Sequence, residues 1–89
     1  MLVEIFGFDP ESFVCKPCIN AKNLAVSRKM NYKFYPIAKV SASEEHRANK
    51  MELTNRANAI NLVVETMPQV FIDGVHIGGF DQFKEWANR

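Results

Sequence analysis

The sequence has little cysteine and no long apolar run, and neither sign of charge dominates it. Its 89 residues contain only two cysteines, which excludes the disulfide network of a small secreted scaffold. No apolar stretch reaches the roughly 18 residues that a membrane-spanning helix needs. The 11 basic and 10 acidic residues leave a formal net charge of +1, so bulk charge favours neither nucleic acid nor a membrane surface as a partner.

The N-terminus also lacks the basic segment that opens a secretory signal peptide, because Glu4 stands where a basic residue is expected. We therefore expect a cytoplasmic protein, in which a lone cysteine pair is more often catalytic or metal-binding than structural. The remaining composition, 47% hydrophobic and 24% charged, is that of one globular domain, residues 1–89.

The first half of the chain predicts a strand, a helix and a second strand. Residues 2–8 are rich in Val, Ile and Phe and predict a buried strand. Apolar positions at helical spacing follow Pro17, and the basic residues 28–29 suit the negative end of that helix. Residues 32–37 predict the second strand, at a sheet edge because Pro36 cannot donate to a neighbour. A strand–helix–strand unit of this kind predicts parallel strands joined by a right-handed crossover.

A polar segment opens a second predicted helix after residue 40. Ser41–Glu44 fits the capping-box pattern, in which a hydroxyl and a carboxylate satisfy the first N–H groups. The residues of this helix that we expect to be buried are Leu53, Ala57, Ile60 and Val64.

The last third predicts a β-hairpin and a final helix. Strands at 69–72 and 75–77 are joined by Asp73-Gly74, which suits a type I′ turn. Gly78-Gly79 then leads into a helix whose apolar residues we expect to face inward: Phe80, Phe83, Trp86 and Ala87. One four-stranded mixed sheet with helices on both faces accommodates this order most simply.

Cys15 and Cys18 carry the clearest chemical signal in the chain. Two thiols separated by two residues can close into a small disulfide ring and reopen, and so carry two electrons. A helix N-terminus favours the thiolate form of the first sulfur through its dipole and unpaired N–H groups, and the charge of Lys16 adds to this. A disulfide across so short a loop contributes little stability. The pair therefore predicts thiol–disulfide exchange.

Two other roles for the cysteine pair stay open at this point. Half of a zinc site would need two further ligands, and only His46 and His76 are soft donors outside the pair. Neither histidine stands at metal-ligand spacing, which favours redox chemistry over metal binding. An inert pair is the other alternative, and we expect His76 at the surface, beside the hairpin turn.

Three motifs in order give the chain a family resemblance. The cysteine pair follows the first strand, Thr66-Met67-Pro68-Gln69-Val70 precedes the hairpin, and Ile77-Gly78-Gly79-Phe80-Asp81 follows it. The whole chain resembles a glutaredoxin of the thioredoxin superfamily. Residues 66–82 are particularly similar to the small glutaredoxins of T-even-type bacteriophages. The resemblance implies a thioredoxin-like α/β fold, βαβ-α-ββα.

The resemblance also implies roles for individual residues. Cys15 matches the exposed nucleophile and Cys18 the more buried resolving cysteine. Pro68 matches a cis-proline, beside which Met67 offers its backbone N–H and C=O groups to an extended substrate. Backbone N–H groups at the last helix start would receive the carboxylate of a γ-glutamyl group. The other residues implied in binding substrate or glutathione are Thr66, Gly78, Gly79, Phe80 and Asp81.

Three segments depart from the family pattern. Lys16 and Pro17 stand where glutaredoxins usually have proline and tyrosine, and this placement of proline is that of thioredoxins. The acid after the Gly-Gly element is shifted by one, which leaves Asp81 and Gln82 as alternatives for contacting the γ-glutamyl amine. Residues 11–14 lack the basic side chain that usually stands shortly before the first cysteine.

The implied activity is that of a dithiol glutaredoxin, with glutathione as co-substrate and neither a bound cofactor nor a metal. The likeness to phage glutaredoxins suggests ribonucleotide reductase as an electron acceptor, and we expect a monomer in the host cytoplasm. Two alternatives remain. Pro17 suggests a thioredoxin-type donor reduced by a flavoprotein thioredoxin reductase, and the Met67–Pro68 segment would equally suit a non-catalytic module that holds an extended peptide.

Overall fold

The computed structural model describes residues 1–40 and 43–89. Within these residues lie the elements β1 (Val3–Phe8), α1 (Lys16–Ser27), β2 (Tyr32–Ile37), α2 (Glu44–Ala59), β3 (Gln69–Ile72), β4 (Val75–Gly78) and α3 (Phe80–Ala87). They follow the predicted order, and the predicted thioredoxin-like α/β fold class is confirmed.

The strands form one mixed sheet in the order β2-β1-β3-β4. β1 pairs in parallel with β2 and antiparallel with β3, and β3 pairs antiparallel with β4. The turn residues Asp73 and Gly74 have φ angles of 49° and 82°, so both take the positive values that the predicted turn requires. β2 lies at the edge of the sheet, as Pro36 predicted.

Helices cover both faces of the sheet, and successive side chains of β1 point alternately to one face and the other. Val3 and Ile5 pack with α1 and α3, whereas Phe6 packs with Leu53 of α2. The core beneath α1 and α3 contains Val3, Ile5, Ala21, Ala25, Val70, Ile72 and Phe83. Among the described residues, no helix combines the length and apolar character needed to cross a membrane.

The N-terminus of α2 differs from its prediction. The helix begins at Glu44, and Ser43 is its N-cap residue. The Ser43 hydroxyl accepts the backbone N–H of His46 at 3.1 Å, which satisfies one of the unpaired N–H groups of the first turn. The predicted capping role of Ser41 lies outside the described residues.

The C-terminus of α2 also differs from its prediction. The helix ends before Asn61, whose φ of 54° lies in the left-handed region and takes the chain out of helical geometry. Leu53 and Ala57 are buried, as expected. Ile60 is 51% exposed and Val64 lies beyond the helix, so the prediction that both extend its buried stripe is wrong.

A buried carboxylate in β1 is neutralised from α2. Glu4 is 7% exposed, and Arg56 donates two hydrogen bonds of 2.9 Å to its carboxylate oxygens. The Tyr35 hydroxyl donates a third, of 2.5 Å. The hydrogen bonds from Arg56 hold the pKa of Glu4 below its usual range, against the opposite effect of burial. The pair ties α2 to the first two strands, on the sheet face opposite α1.

Candidate active site

Cys15 and Cys18 form a disulfide at the start of α1, with 5.3 Å between their Cα atoms. Cys15 is the N-cap residue, and Cys18 lies in the first turn. Cys18 is 1% exposed and Cys15 8%, so Cys18 is the more buried, as expected. The prediction that Cys15 is exposed is wrong for this disulfide state, because Cys15 Sγ packs 3.9 Å from the carbonyl oxygen of Met67.

The N-terminus of α1 is arranged to stabilise negative charge on the first sulfur. Cys15 Sγ accepts the backbone N–H of Cys18 at 3.3 Å, in the place of an N-cap oxygen. The first turn contains no acidic residue and carries the exposed Lys16. A thiolate on Cys15 therefore gains from the helix dipole, from the N–H group and from the lysine charge.

The loop between β1 and α1 holds Cys15 in place through Asp9. The N–H of Asp9 donates to the carbonyl of Ile37, at the end of β2, at 2.8 Å. The carboxylate of Asp9 accepts the N–H of Glu11 at 3.0 Å and lies 3.0 Å from His46 Nε2 on α2. The hydrogen bond from Glu11 and then that from His46 lower the pKa of Asp9. The residues before Cys15 are thus fixed to both β2 and α2.

The Met67–Pro68 peptide bond is cis, as expected, and the Met67 backbone lies against the disulfide. Its loop is anchored from the hairpin, because the buried Gln69 side chain donates to the carbonyl of Thr66 at 2.8 Å. His76 Nε2 lies 2.7 Å from Gln69 Oε1. His76, predicted at the surface, is half-buried: its ring packs against an aromatic ring of β3, and this burial lowers its pKa.

The chain enters α3 through Gly78 and Gly79. Gly78 has a φ of 130°, a conformation that L side chains rarely adopt. Gln82 Oε1 accepts the N–H of Gly79 at 2.9 Å. The N–H groups of Phe80 and Asp81 come next, in the first turn of α3, where a helix supplies no acceptor of its own. The amide oxygen of Gln82 is thus engaged within the loop, whereas the side chain of Asp81 is exposed.

Three separate segments meet in one cleft beside the disulfide. The cleft has a volume of about 200 Å³ and is lined by Pro17, Thr66, Met67, Pro68, Gly79, Phe80, Asp81 and Gln82. It contains both stretches for which the sequence predicts substrate or glutathione binding, Thr66–Pro68 and Gly79–Asp81. Lys16 and Gly78 are not part of its lining. The binding roles themselves stay predictions.

Comparison with known proteins identifies the family. The sequence model of the glutaredoxin family matches residues 3–77. The chain is 38% identical to the glutaredoxin of Enterobacteria phage T4 over 88 residues, which are 96% of this chain and 98% of that protein. The chain belongs to the glutaredoxin family. The likeness to T-even-type phage glutaredoxins that the sequence suggested is confirmed by this comparison.

Solved glutaredoxins share the fold of this one. Reduced Escherichia coli glutaredoxin matches with a TM-score of 0.66 at 31% identity, over 99% of this chain and 94% of that chain. The buckwheat glutaredoxin–glutathione complex matches with a TM-score of 0.63 at 24% identity, over 97% of this chain and 67% of that one, which shows the fold alone. As a glutaredoxin with a disulfide in its Cys-x-x-Cys loop, the protein is a thiol–disulfide oxidoreductase.

The two histidines of this glutaredoxin have partners other than the cysteines. His46 is paired with Asp9 and His76 with Gln69. Within residues 1–40 and 43–89, no three His, Cys, Asp or Glu side chains lie together as a metal site would require.

Sequence reasoning missed two residues that shape this site, Gly7 and Gln69. A Cβ atom on Gly7 would lie 3.0 Å from Cys18 Cβ and 3.2 Å from Cys18 Sγ, so the resolving cysteine packs where a side chain would otherwise stand. A glycine inside a predicted strand is the signal that points to such a close approach. The sequence holds no comparable signal for Gln69, whose role depends on the loop folding back over it.

Proposed function

We propose that this glutaredoxin is a dithiol enzyme that takes its electrons from glutathione. The position of the cleft carries the proposal. Met67 contacts Cys15 Sγ and lines the cleft, whose opposite wall is the start of α3. A thiol tripeptide whose sulfur reaches Cys15 would therefore place its γ-glutamyl end at that helix start.

The forward half of the cycle uses both cysteines. The Cys15 thiolate attacks one sulfur of a substrate disulfide, forms a mixed disulfide and expels the other sulfur as a thiolate. The Cys18 thiolate then attacks Cys15 Sγ and releases the second substrate thiolate. The substrate is reduced by two electrons, and Cys15–Cys18 is oxidised to the disulfide seen in the structure.

The return half uses two molecules of glutathione. The first glutathione thiolate attacks Cys15 Sγ, which forms glutathionylated Cys15 and frees Cys18 as a thiolate. The second attacks the glutathione sulfur of that adduct, which yields glutathione disulfide and restores the Cys15 thiolate. The N-cap position of Cys15 makes it a good leaving group in this last step, because the N–H of Cys18 stabilises its charge.

Recognition of glutathione rests on the chemistry of its γ-glutamyl end, which has a free carboxylate and a free ammonium group. The N–H groups of Phe80 and Asp81, at the positive end of the α3 dipole, suit the carboxylate. The exposed Asp81 carboxylate suits the ammonium group. Gln82 is the poorer candidate, because its amide oxygen already accepts the N–H of Gly79.

Two further observations support the proposal. The buckwheat glutaredoxin, which shares this fold, was solved in complex with glutathione. The relative from phage T4 is a glutaredoxin of nearly the same extent.

A virus that makes its own deoxynucleotides needs an electron donor for ribonucleotide reductase, and we propose that enzyme as a protein acceptor of these electrons.

Turnover of a small glutathionylated disulfide, coupled to glutathione and glutathione reductase, tests the proposal. We expect the wild type to turn over and Cys15→Ser to be inactive. Asp81→Ala is expected to raise the KM for glutathione about tenfold, through loss of one charged hydrogen bond. Glu85→Ala, at an exposed acid on the same helix, is the matched control and is expected to leave that KM unchanged.

A second candidate function is that of a donor reduced by a flavoprotein thioredoxin reductase. Pro17 favours it, because a proline directly before the second cysteine is the placement found in thioredoxins. This proline lies in the first turn of α1 and lines the cleft. If the wild type is inactive in the glutathione assay but is still reduced by thioredoxin reductase, glutathione dependence is contradicted and this candidate is supported.

A further inference from the structure

A second and larger depression lies on the other side of Met67 from the glutathione cleft. It has a volume of about 390 Å³ and runs between the end of β2, α2 and the loop before Pro68. Its lining is Phe8, Ile37, Ala38, Lys39, Lys50, Leu53, Thr54, Val64, Glu65, Thr66 and Met67. We call this depression the α2 groove. Thr66 and Met67 line both the α2 groove and the cleft, so the two are continuous across the segment that contacts Cys15.

The floor of the α2 groove is apolar and its rim is basic. Phe8, Val64 and Met67, each half-buried, provide the apolar surface, which lies above the nearly fully buried Ile37 and Leu53. Lys39 and Lys50 stand on the rim, and within the described residues neither forms an ion pair with a carboxylate. Glu65 is the acidic residue of the lining, so the groove as a whole has an excess of positive charge.

An exposed apolar edge connects the α2 groove to the nucleophile. Phe13 is 38% exposed and packs edge-on against Phe8, with 5.1 Å between ring centroids. Lys39 Nζ lies 3.8 Å from the centroid of the Phe13 ring. Val14, between Phe13 and Cys15 in the chain, is 67% exposed. Apolar side chains thus remain in solvent next to the nucleophile, where their burial by a partner would be favourable.

Glutathione does not match this surface. Its three residues carry no apolar side chain, so the floor of the α2 groove would stay unfilled even with the cleft occupied. A polypeptide crossing Met67 in extended form continues past the cleft into the groove. An apolar side chain of that polypeptide would then fill the floor, and a neighbouring carboxylate would meet Lys39 and Lys50.

We propose that the α2 groove is the docking site for protein substrates, and that it selects disulfides flanked by an apolar residue and acidic residues. The proposal deepens the function proposed above and rests on the same exchange chemistry at Cys15. Two sites would then divide the cycle: the α2 groove holds the polypeptide that is reduced, and the cleft holds the glutathione that restores the dithiol.

The test is a single-turnover reaction that needs no glutathione. Protein reduced with dithiothreitol and then freed of it is mixed with a peptide containing an internal disulfide, flanked on both sides by leucine and two glutamates. The protein dithiol becomes a disulfide as the peptide disulfide becomes a dithiol, and Trp86 fluorescence or chromatography follows the reaction. A second peptide has lysine in place of each glutamate. Hydroxyethyl disulfide, a small disulfide without flanking residues, serves as the reference substrate.

We expect the glutamate peptide to react about tenfold faster than the lysine peptide at low ionic strength, with the ratio falling as salt is added. Lys39→Glu/Lys50→Glu is expected to abolish or reverse this preference while leaving the rate with hydroxyethyl disulfide unchanged. Lys84→Glu/Arg89→Glu changes the net charge equally, at exposed positions of α3 and the C-terminus, and is expected to keep the preference.

Equal rates for the two peptides in the wild type would overturn the proposal. So would an equal loss of preference in both double variants, which would assign the effect to net charge. The thermal unfolding midpoint of each variant shows that it is folded. Failure of the glutathione-coupled assay alone, with the peptide preference intact, would contradict glutathione dependence and leave the α2 groove proposal supported.

Discussion

Gly7 lies beneath Cys18 at the point where α1 packs on β1. A Cβ atom there would also lie 3.1 Å from Cε1 of Phe34. The glycine therefore sets how deeply the resolving cysteine can sit, and through it the height of Cys15 above the sheet. The cysteine pair, the cis-proline segment and the Gly-Gly loop are short contiguous motifs; the spacing of the cysteines predicts their chemistry, and the family resemblance implies the roles of the other two. A glycine within a predicted strand signals a close approach at Gly7, but it does not say which residue approaches, because Cys18 and Phe34 meet Gly7 only in the folded chain.

Gly7→Ala is expected to destabilise the oxidised protein by about 1–3 kcal/mol, because the new methyl group overpacks the space beside Cys18. Gly79→Ala is the matched control. A Cβ atom on Gly79 meets its nearest neighbours at 3.5 Å, an ordinary contact, so this substitution is expected to cost less than about 1 kcal/mol. Urea unfolding of both variants measures the difference, and equal losses would contradict the role given to Gly7.

Helix α2 shows where prediction at the level of elements succeeds and where it stops. Its existence and type follow from the capping segment and from helical spacing of Leu53 and Ala57. The residue at which the helix ends does not follow from the sequence, because an apolar residue such as Ile60 continues the periodic pattern after the helix has ended. The attachment of α2 to the sheet by Arg56 and Glu4 also lacks a sequence signal, since the two residues are 52 positions apart.

Arg56→Met is expected to lower the free energy of unfolding by about 3 kcal/mol, because it leaves the buried Glu4 carboxylate without its charged partner. Glu52→Gln is the control. Glu52 accepts a hydrogen bond from the same guanidinium at 2.7 Å, but its side chain is 49% exposed, so the free energy of unfolding should fall by only about 0.5 kcal/mol. Glu4→Gln/Arg56→Met should be more stable than Arg56→Met. A single Arg56→Met variant no less stable than Glu52→Gln would contradict the account of the pair.

The pH dependence of stability belongs to the whole molecule, because groups in separate elements add to it. Burial lowers the pKa of His76 below its ordinary value of 6.5, so the unfolded chain binds a proton more readily than the folded one. Stability from this source is fully present above pH 6.5 and is lost as the pH falls below that value. The pKa of Glu4 is lowered from 4.5, so its contribution is present above pH 4.5 and is lost at more acidic pH.

Unfolding by urea, followed by the fluorescence of the single tryptophan, is therefore expected to show stability falling in two stages on acidification. His76→Gln should remove the first stage, below pH 6.5, and keep the second. An unchanged first stage in that variant would assign it to another group.

The most direct test of the central claim is to trap the intermediate in which glutathione is bound to Cys15. Cys18→Ser, which lacks the resolving thiol, is incubated with glutathione disulfide and analysed by intact mass and peptide mapping, beside Cys15→Ser. The account predicts one glutathione per Cys18→Ser chain, attached to Cys15, and no adduct on Cys15→Ser over the same time. Equal glutathionylation of the two variants, or none on Cys18→Ser, would contradict the assignment of Cys15 as the glutathione-reactive nucleophile.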